Sequence, residues 1–107
     1  MKRKCGRTGA LLPFVAIFFL SSSLPVWAGD PGKGAQLYSD HCVVCHGERG
    51  EGAVPGVPDF TRGAALLAPD RTLANTVRLG KTSMPAFQGL LKDSDIYDVI
   101  AFLRTLH

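Results

Sequence analysis

Cysteine is scarce in this chain: Cys5, Cys42 and Cys45 are the only three in 107 residues. No fourth thiol exists to complete a four-cysteine zinc site. A mixed site would have to draw its further ligands from His41 and His107. Runs of alternating apolar and polar residues are missing too, so the C-x-x-C pair does not follow a strand as in a thioredoxin-like βαβ unit. Beyond residue 7 there is no cluster of Lys and Arg and no aromatic-interleaved basic patch, which argues against a nucleic-acid partner. No apolar run reaches the ~20 residues of a confident membrane span. Linkers, repeats and low-complexity segments are absent, so one domain suffices.

What is present begins with an address. Lys2, Arg3, Lys4 and Arg7 form a positive start, Ala10 to Leu20 an apolar run, and Val26-Trp27-Ala28 place small residues three and one before a cut. That order predicts a secretory signal peptide over residues 1–28 and a domain over residues 29–107. An uncleaved membrane anchor is the alternative. Cys5 precedes the apolar run, so it is not a lipid-attachment cysteine, and it leaves with the leader, as does Trp27, the single tryptophan. Four of the twelve basic residues leave as well. Eight then face nine acidic ones, for a net charge of −1. Such a short domain buries proportionally little of its surface and gains from a large apolar group in its centre.

Cys42-Val43-Val44-Cys45-His46 supplies that group. C-x-x-C-H is the pattern of covalent haem attachment. Two thiols three positions apart can each add to a haem vinyl group, and the histidine after the second is placed to bind the iron. A disulfide between Cys42 and Cys45 would give His46 no reason to be adjacent. The expected cofactor is one haem c, held through two thioethers.

The remaining pattern is helical. Asp30 caps and Pro31 opens a helix from about Pro31 to Val44, with Ala35, Leu37, Tyr38 and His41 near one side. Gly47 to Arg62, with Pro55 and Pro58, reads as loop. Thr61 to Ala68 is a short helix, and a second begins at Pro69-Asp70, capped by Asp70, carries Leu73, Ala74 and Val77, and ends at Gly80. Lys81 to Phe87 is loop. The last helix, capped by Asp93 or Ser94, places Ile96, Val99, Ile100 and Leu103 at i, i+3, i+4, i+7. Arg104 stands near its negative end. Gly34 predicts a close crossing of the first and last helices, because a helix-interior glycine costs about 1 kcal/mol relative to alanine unless a contact offsets it.

The iron then needs a second axial ligand, or leaves a position open. Met84, His41 and His107 are the candidates. Met84, 38 residues after His46 and followed by Pro85, has enough chain to return on the other face. Its soft thioether would raise the potential. His41 lies beside the attachment site on the His46 side and reads as a surface or core histidine, and His107 as a solvated one.

Together these residues resemble a small bacterial class I cytochrome c. Gly34, Tyr38 and Cys42 keep the four-residue spacing of that family's first helix. Cys42-x-x-Cys45-His46 matches its haem site, Met84-Pro85-Ala86-Phe87 its distal loop, and Asp95 to Leu103 its closing helix. The resemblance implies an all-α cytochrome c-like fold, with crossing N- and C-terminal helices, two short helices and loops around one haem. It implies His46 and Met84 as iron ligands. Pro58, with Pro55 as competitor, corresponds to the proline whose carbonyl accepts the proximal histidine's N–H. It departs at Tyr38, where phenylalanine is commoner, and in a short central region. The implied function is a monomeric, soluble, periplasmic one-electron carrier, not an enzyme, serving redox protein partners without stable membrane association once the leader is removed. The alternative is an open-site c-type haem protein that binds a gas or reduces peroxide.

Overall fold

The computed structural model describes residues 28–107, with Gly6 and Gly9 as isolated positions. Apart from Gly6, Gly9 and Ala28, the expected leader lies outside the described residues. Four helices form: α1 (Pro31–His41), α2 (Val43–His46), α3 (Asp70–Leu79) and α4 (Asp93–Leu103), with 3₁₀ turns at Phe60–Arg62 and Ala64–Leu66 between α2 and α3. Among the described residues the only β pairings are the isolated bridges Lys81–Met84 and Gln88–Leu91. The all-α expectation is met.

The first helix starts as its sequence predicts. Asp30 accepts hydrogen bonds from the amides of Gly32 (2.9 Å) and Lys33 (3.2 Å), satisfying donors that have no partner within the helix. It ends earlier than the expected Val44. The chain breaks at Cys42, which leaves helical geometry (φ −120°, ψ −28°), and α2 follows as a separate turn. The expected helix over residues 61–68 is instead the pair of 3₁₀ turns.

Two expected caps are corrected. Pro69, not Asp70, precedes α3, and the Asp70 carboxylate takes the guanidinium of Arg104 at 2.7 Å. Lys92, not Asp93 or Ser94, is the N-cap of α4. Asp95 reaches back to the Lys92 amide (3.2 Å), and Asp93 pairs with Arg78 at the end of α3 (2.9 Å). In each case a long-range cation claims a carboxylate that local sequence would assign to capping.

The expected stripe of α4 is buried throughout: Ile96, Val99, Ile100 and Leu103. It feeds two apolar clusters. Tyr38, Leu66, Val99 and Leu103 form one, with Leu37, Cys42, Val43, Phe60 and Phe102 against it. Ala74, Ile96 and Ile100 form the other, with Leu73, Val77 and Leu91. Thus α4 is the wall on which α1 and α3 both pack. Arg104 closes its far end, donating to the carbonyls of Leu66 and Ala68 and to Asp70.

The α1–α4 crossing is a backbone contact. A methyl group at Gly34 would sit 1.9 Å from the Asp98 carbonyl oxygen and 3.0 Å from Phe102 Cβ. The expected close crossing is there, with Phe102 beside Gly34 and the backbone of Asp98 making the closest approach. The buried Asp98 carboxylate seals the same point, accepting the Asp30 amide (2.8 Å) and pairing with Lys33 (3.2 Å). Gly34→Ala would gain helix propensity but must push the helices apart, so thermal melts should show it less stable than wild type. Gly34→Val should lose about 1–3 kcal/mol or more. A melting temperature at or above wild type for both would show that the crossing lies elsewhere.

Candidate functional site

Cys42 is the corner of the site. Its amide closes α1 on the Tyr38 carbonyl (2.8 Å), and its own carbonyl accepts the amides of Cys45 (3.2 Å) and His46 (2.9 Å). One helical turn therefore gathers both thiols and the imidazole, with Cys42 and Cys45 on one side of it. Both cysteines are free, Cys45 exposed and Cys42 half-buried. Burial, and secondarily the neighbouring Cys45, pushes the Cys42 thiol up to about 11.

Tyr38, one turn before the corner, holds the far side of that turn. Its buried hydroxyl donates to the Gly47 carbonyl at 2.7 Å, and its ring packs on Phe102 with centroids 5.2 Å apart. Burial raises the phenol to about 12, so it remains a donor at any physiological pH. The residue that departs from the commoner phenylalanine thus ties α1 to the residue after His46.

His46 is half-buried, and burial lowers its pKa, favouring the neutral imidazole that a metal binds. Its ring lies nearly parallel to that of Phe60, with centroids 5.0 Å apart and planes 17° from parallel. Its Nδ1 is buried and has no hydrogen-bond partner among the described residues. The expected bond from this histidine to the carbonyl of Pro58, or of Pro55, is not formed. The Val57 and Pro58 carbonyls lie instead beside Gly52, where a methyl group would meet them at 3.0 and 3.4 Å. The Gly52 amide is itself bound to the His46 carbonyl (2.8 Å).

Met84 is half-buried in the loop after α3. Gly80 ends that helix at φ 74°, ψ 172°, a conformation natural to glycine alone. A side chain there would also strike the Met84 carbonyl, at 2.5 Å. Lys81 and Met84 exchange backbone hydrogen bonds (3.1 and 2.9 Å), closing a tight turn in which Thr82 takes φ 54°. Phe87 and Gln88 then donate to Val77 and Arg78 of α3 (both 3.1 Å), folding the loop back along the helix. The loop approaches the α1–α2 corner through buried Phe87, whose ring stands edge-on to exposed His41 at 6.3 Å. His107 lies over Gly63. Neither histidine joins His46: among the described residues no three His, Cys, Asp or Glu side chains are gathered to hold a metal ion.

These residues fit a covalent haem. Two free thiols on one turn and an adjacent half-buried imidazole are the donors that its attachment and one iron ligand require. Sequence reasoning missed Phe60, whose place against His46 depends on the path of the intervening loop.

Two outcomes follow. Before haem attachment, at pH 8, alkylation should label exposed Cys45 well ahead of the half-buried, protonated Cys42, as peptide mass mapping would show. Equal rates would contradict the burial. Tyr38→Phe should lower stability by about 1 kcal/mol, or about 4–8 °C in melting temperature for a domain of this size, and an unchanged melt would mean the bond to Gly47 is not formed.

Comparison with known proteins gives the geometry its context. Residues 29–103 match the family described as cytochrome c oxidase, cbb3-type, subunit III. The chain is 33% identical over 110 aligned positions to the cbb3-type cytochrome c oxidase subunit FixP of Bradyrhizobium sp. (strain ORS 278), covering 94% of this chain and 38% of that one. It thus spans well under half the length of that subunit. It is 34% identical over 82 positions to cytochrome c6 of Gracilaria tenuistipitata var. liui, covering 72% of this chain and 73% of that one. The structure of cytochrome c6 from the diatom Phaeodactylum tricornutum superposes with a TM-score of 0.63 at 28% identity, over 72% of this chain and 93% of that one. The chain belongs to the cytochrome c family, as a small class I domain with covalently attached haem c.

Proposed function

We propose that this domain is a one-electron carrier, exported to the periplasm, whose single haem c is bound through Cys42 and Cys45 with its iron between His46 and Met84. The observation that carries the reading is the corner at Cys42, which brings both thiols and a half-buried imidazole onto one turn. Haem c, when bound, supplies a one-electron couple at its iron.

The chain's own residues supply the rest. Cys42 and Cys45 fix the group to the turn that joins α1 and α2, so it cannot be lost to solvent. Burial keeps the His46 imidazole neutral and free to donate its lone pair. The Lys81–Met84 turn presents a soft thioether, which favours the reduced state and raises the potential. Pro85 has no amide hydrogen and cannot extend a helix into the loop. His46 and Met84 would together hold the iron and leave no place on it for a substrate, which is what distinguishes the carrier from the open-site alternative. Dispersed charges, −1 in net over residues 29–107, suit a monomer meeting its redox partners briefly, at the small end of interface sizes. Among the described residues no helix is long and apolar enough to cross a membrane.

A second reading, a haem domain working within a cbb3-type oxidase, is favoured by the match over residues 29–103 and the FixP alignment. Fractionation separates the two, since a carrier leaves with the periplasmic fraction and an oxidase domain stays with the membrane complex. The ligand set is tested by absorption spectroscopy of the purified haem protein. Met84→Ala should open one axial position, lower the reduction potential and allow carbon monoxide to bind. Unchanged spectrum and potential would remove Met84 from the iron.

A further inference from the structure

Thr82 belongs to the turn that presents Met84. Its φ is 54°, and among the described residues it alone, glycines apart, has a positive φ. A β-branched residue is a poor occupant of that region, because its Cβ substituents crowd the backbone. The side chain is exposed, so burial does not offset the strain. Gly80, earlier in the same loop, takes φ 74°, which glycine adopts readily. The surroundings leave Thr82 little choice. The Gly80 amide is bound to the Thr76 carbonyl (2.8 Å), and the Phe87 and Gln88 amides to Val77 and Arg78 (both 3.1 Å). Between these anchors Pro85 has a fixed φ and restricts Met84 before it. The reversal therefore falls on Thr82 and Ser83, where Lys81 and Met84 close on each other through two backbone hydrogen bonds (3.1 and 2.9 Å).

A residue held in a sparsely populated backbone region persists only while its surroundings over-determine it, and such residues gather at ligand clamps and switch segments. Opening the Lys81–Met84 turn would release Thr82 and leave both anchors on α3 in place. We propose that Thr82 is a positioning residue that sets how firmly Met84 is held: the turn carrying the thioether is closed against its own strain, and its opening is the route by which an outside ligand takes the place of Met84. The inference rests on Met84 being the second iron ligand. It makes the requirement at position 82 one of backbone freedom, not of the hydroxyl. Relief of the strain tightens the hold on Met84, whereas a β-branched replacement leaves it unchanged.

The experiment titrates the intact ferric haem protein with imidazole, which competes with Met84 for the iron. Displacement is followed by loss of the weak red charge-transfer band of thioether-bound ferric haem. Wild type is compared with Thr82→Gly, Thr82→Asn and Thr82→Val. Glycine and asparagine both accept positive φ. In each, the imidazole concentration at the midpoint should rise by roughly tenfold, equivalent to about 1.4 kcal/mol and on the scale of one strained residue. Thr82→Val keeps the β-branched shape without the hydroxyl and should titrate as wild type does. A midpoint in Thr82→Gly no higher than that of wild type would overturn the proposal, as would a Thr82→Val midpoint raised equally far. Should Thr82→Gly fail to accumulate, Thr82→Asn decides in the same way. Met84 ligation is read separately, from the band in wild type before imidazole is added. Absence of that band would overturn the Met84 reading and this inference with it, whereas a normal band with unmoved midpoints overturns this inference alone.

Discussion

Everything in this domain is hung from one backbone contact, Gly34 of α1 against Asp98 of α4. A side chain at Gly34 would fall 1.9 Å from the Asp98 carbonyl oxygen, so the two helices cross as closely as their main chains allow. The Asp98 carboxylate then ties down the entry to α1 through the Asp30 amide and Lys33. With α1 fixed in position and rotation, Tyr38 one turn later must enter the core, and its hydroxyl reaches the Gly47 carbonyl. The turn carrying Cys42, Cys45 and His46 is thereby held between a crossing at one end and a buried hydrogen bond at the other.

The remainder of the fold is thin. Beyond α4 and its partners, connections are loops and 3₁₀ turns, held by point contacts of Arg104 with Leu66, Ala68 and Asp70 and of Arg78 with Asp93. Exposed ion pairs of this kind are each worth little. Meanwhile Val44 and Leu67 are 86% and 85% exposed. A domain this small ordinarily needs a staple. Here the covalent group serves as one, and the same attachment that gives the protein its chemistry also supplies apolar bulk to a modest core.

What was legible in the residues was what local rules determine. The i, i+3, i+4, i+7 stripe of α4, the Asp30–Pro31 start of α1, the Gly80 stop of α3 and the tight spot at Gly34 each follow from one helix's own geometry, and so does the attachment motif. What failed depended on distant partners. Asp70 and Asp93 are good capping residues by type, but Arg104 and Arg78 claim them from other elements. The break at Cys42 leaves no local mark, since Val43 and Val44 continue the apolar pattern. The proline loop was recognised as loop, yet nothing local aims its carbonyls, and those of Val57 and Pro58 come up against Gly52.

The attachment motif dictates that a histidine lies beside two cysteines, but not how its ring is turned. Orientation must come from whatever the following loop brings back, and a loop of glycines and prolines can return either a carbonyl or a side chain. In this chain the amides of Gly52 and Ala53 bind the carbonyls of His46 and Cys45 (2.8 and 3.0 Å), doubling the loop back on the motif. Phe60 then arrives bonded to Gly50. The backbone of the loop is spent on holding the main chain of α2, and it is a side chain that meets the imidazole. A ring restrains the plane of a neighbouring ring but asks nothing of its protonation, whereas a carbonyl acceptor would draw on the Nδ1 proton and raise ligand basicity.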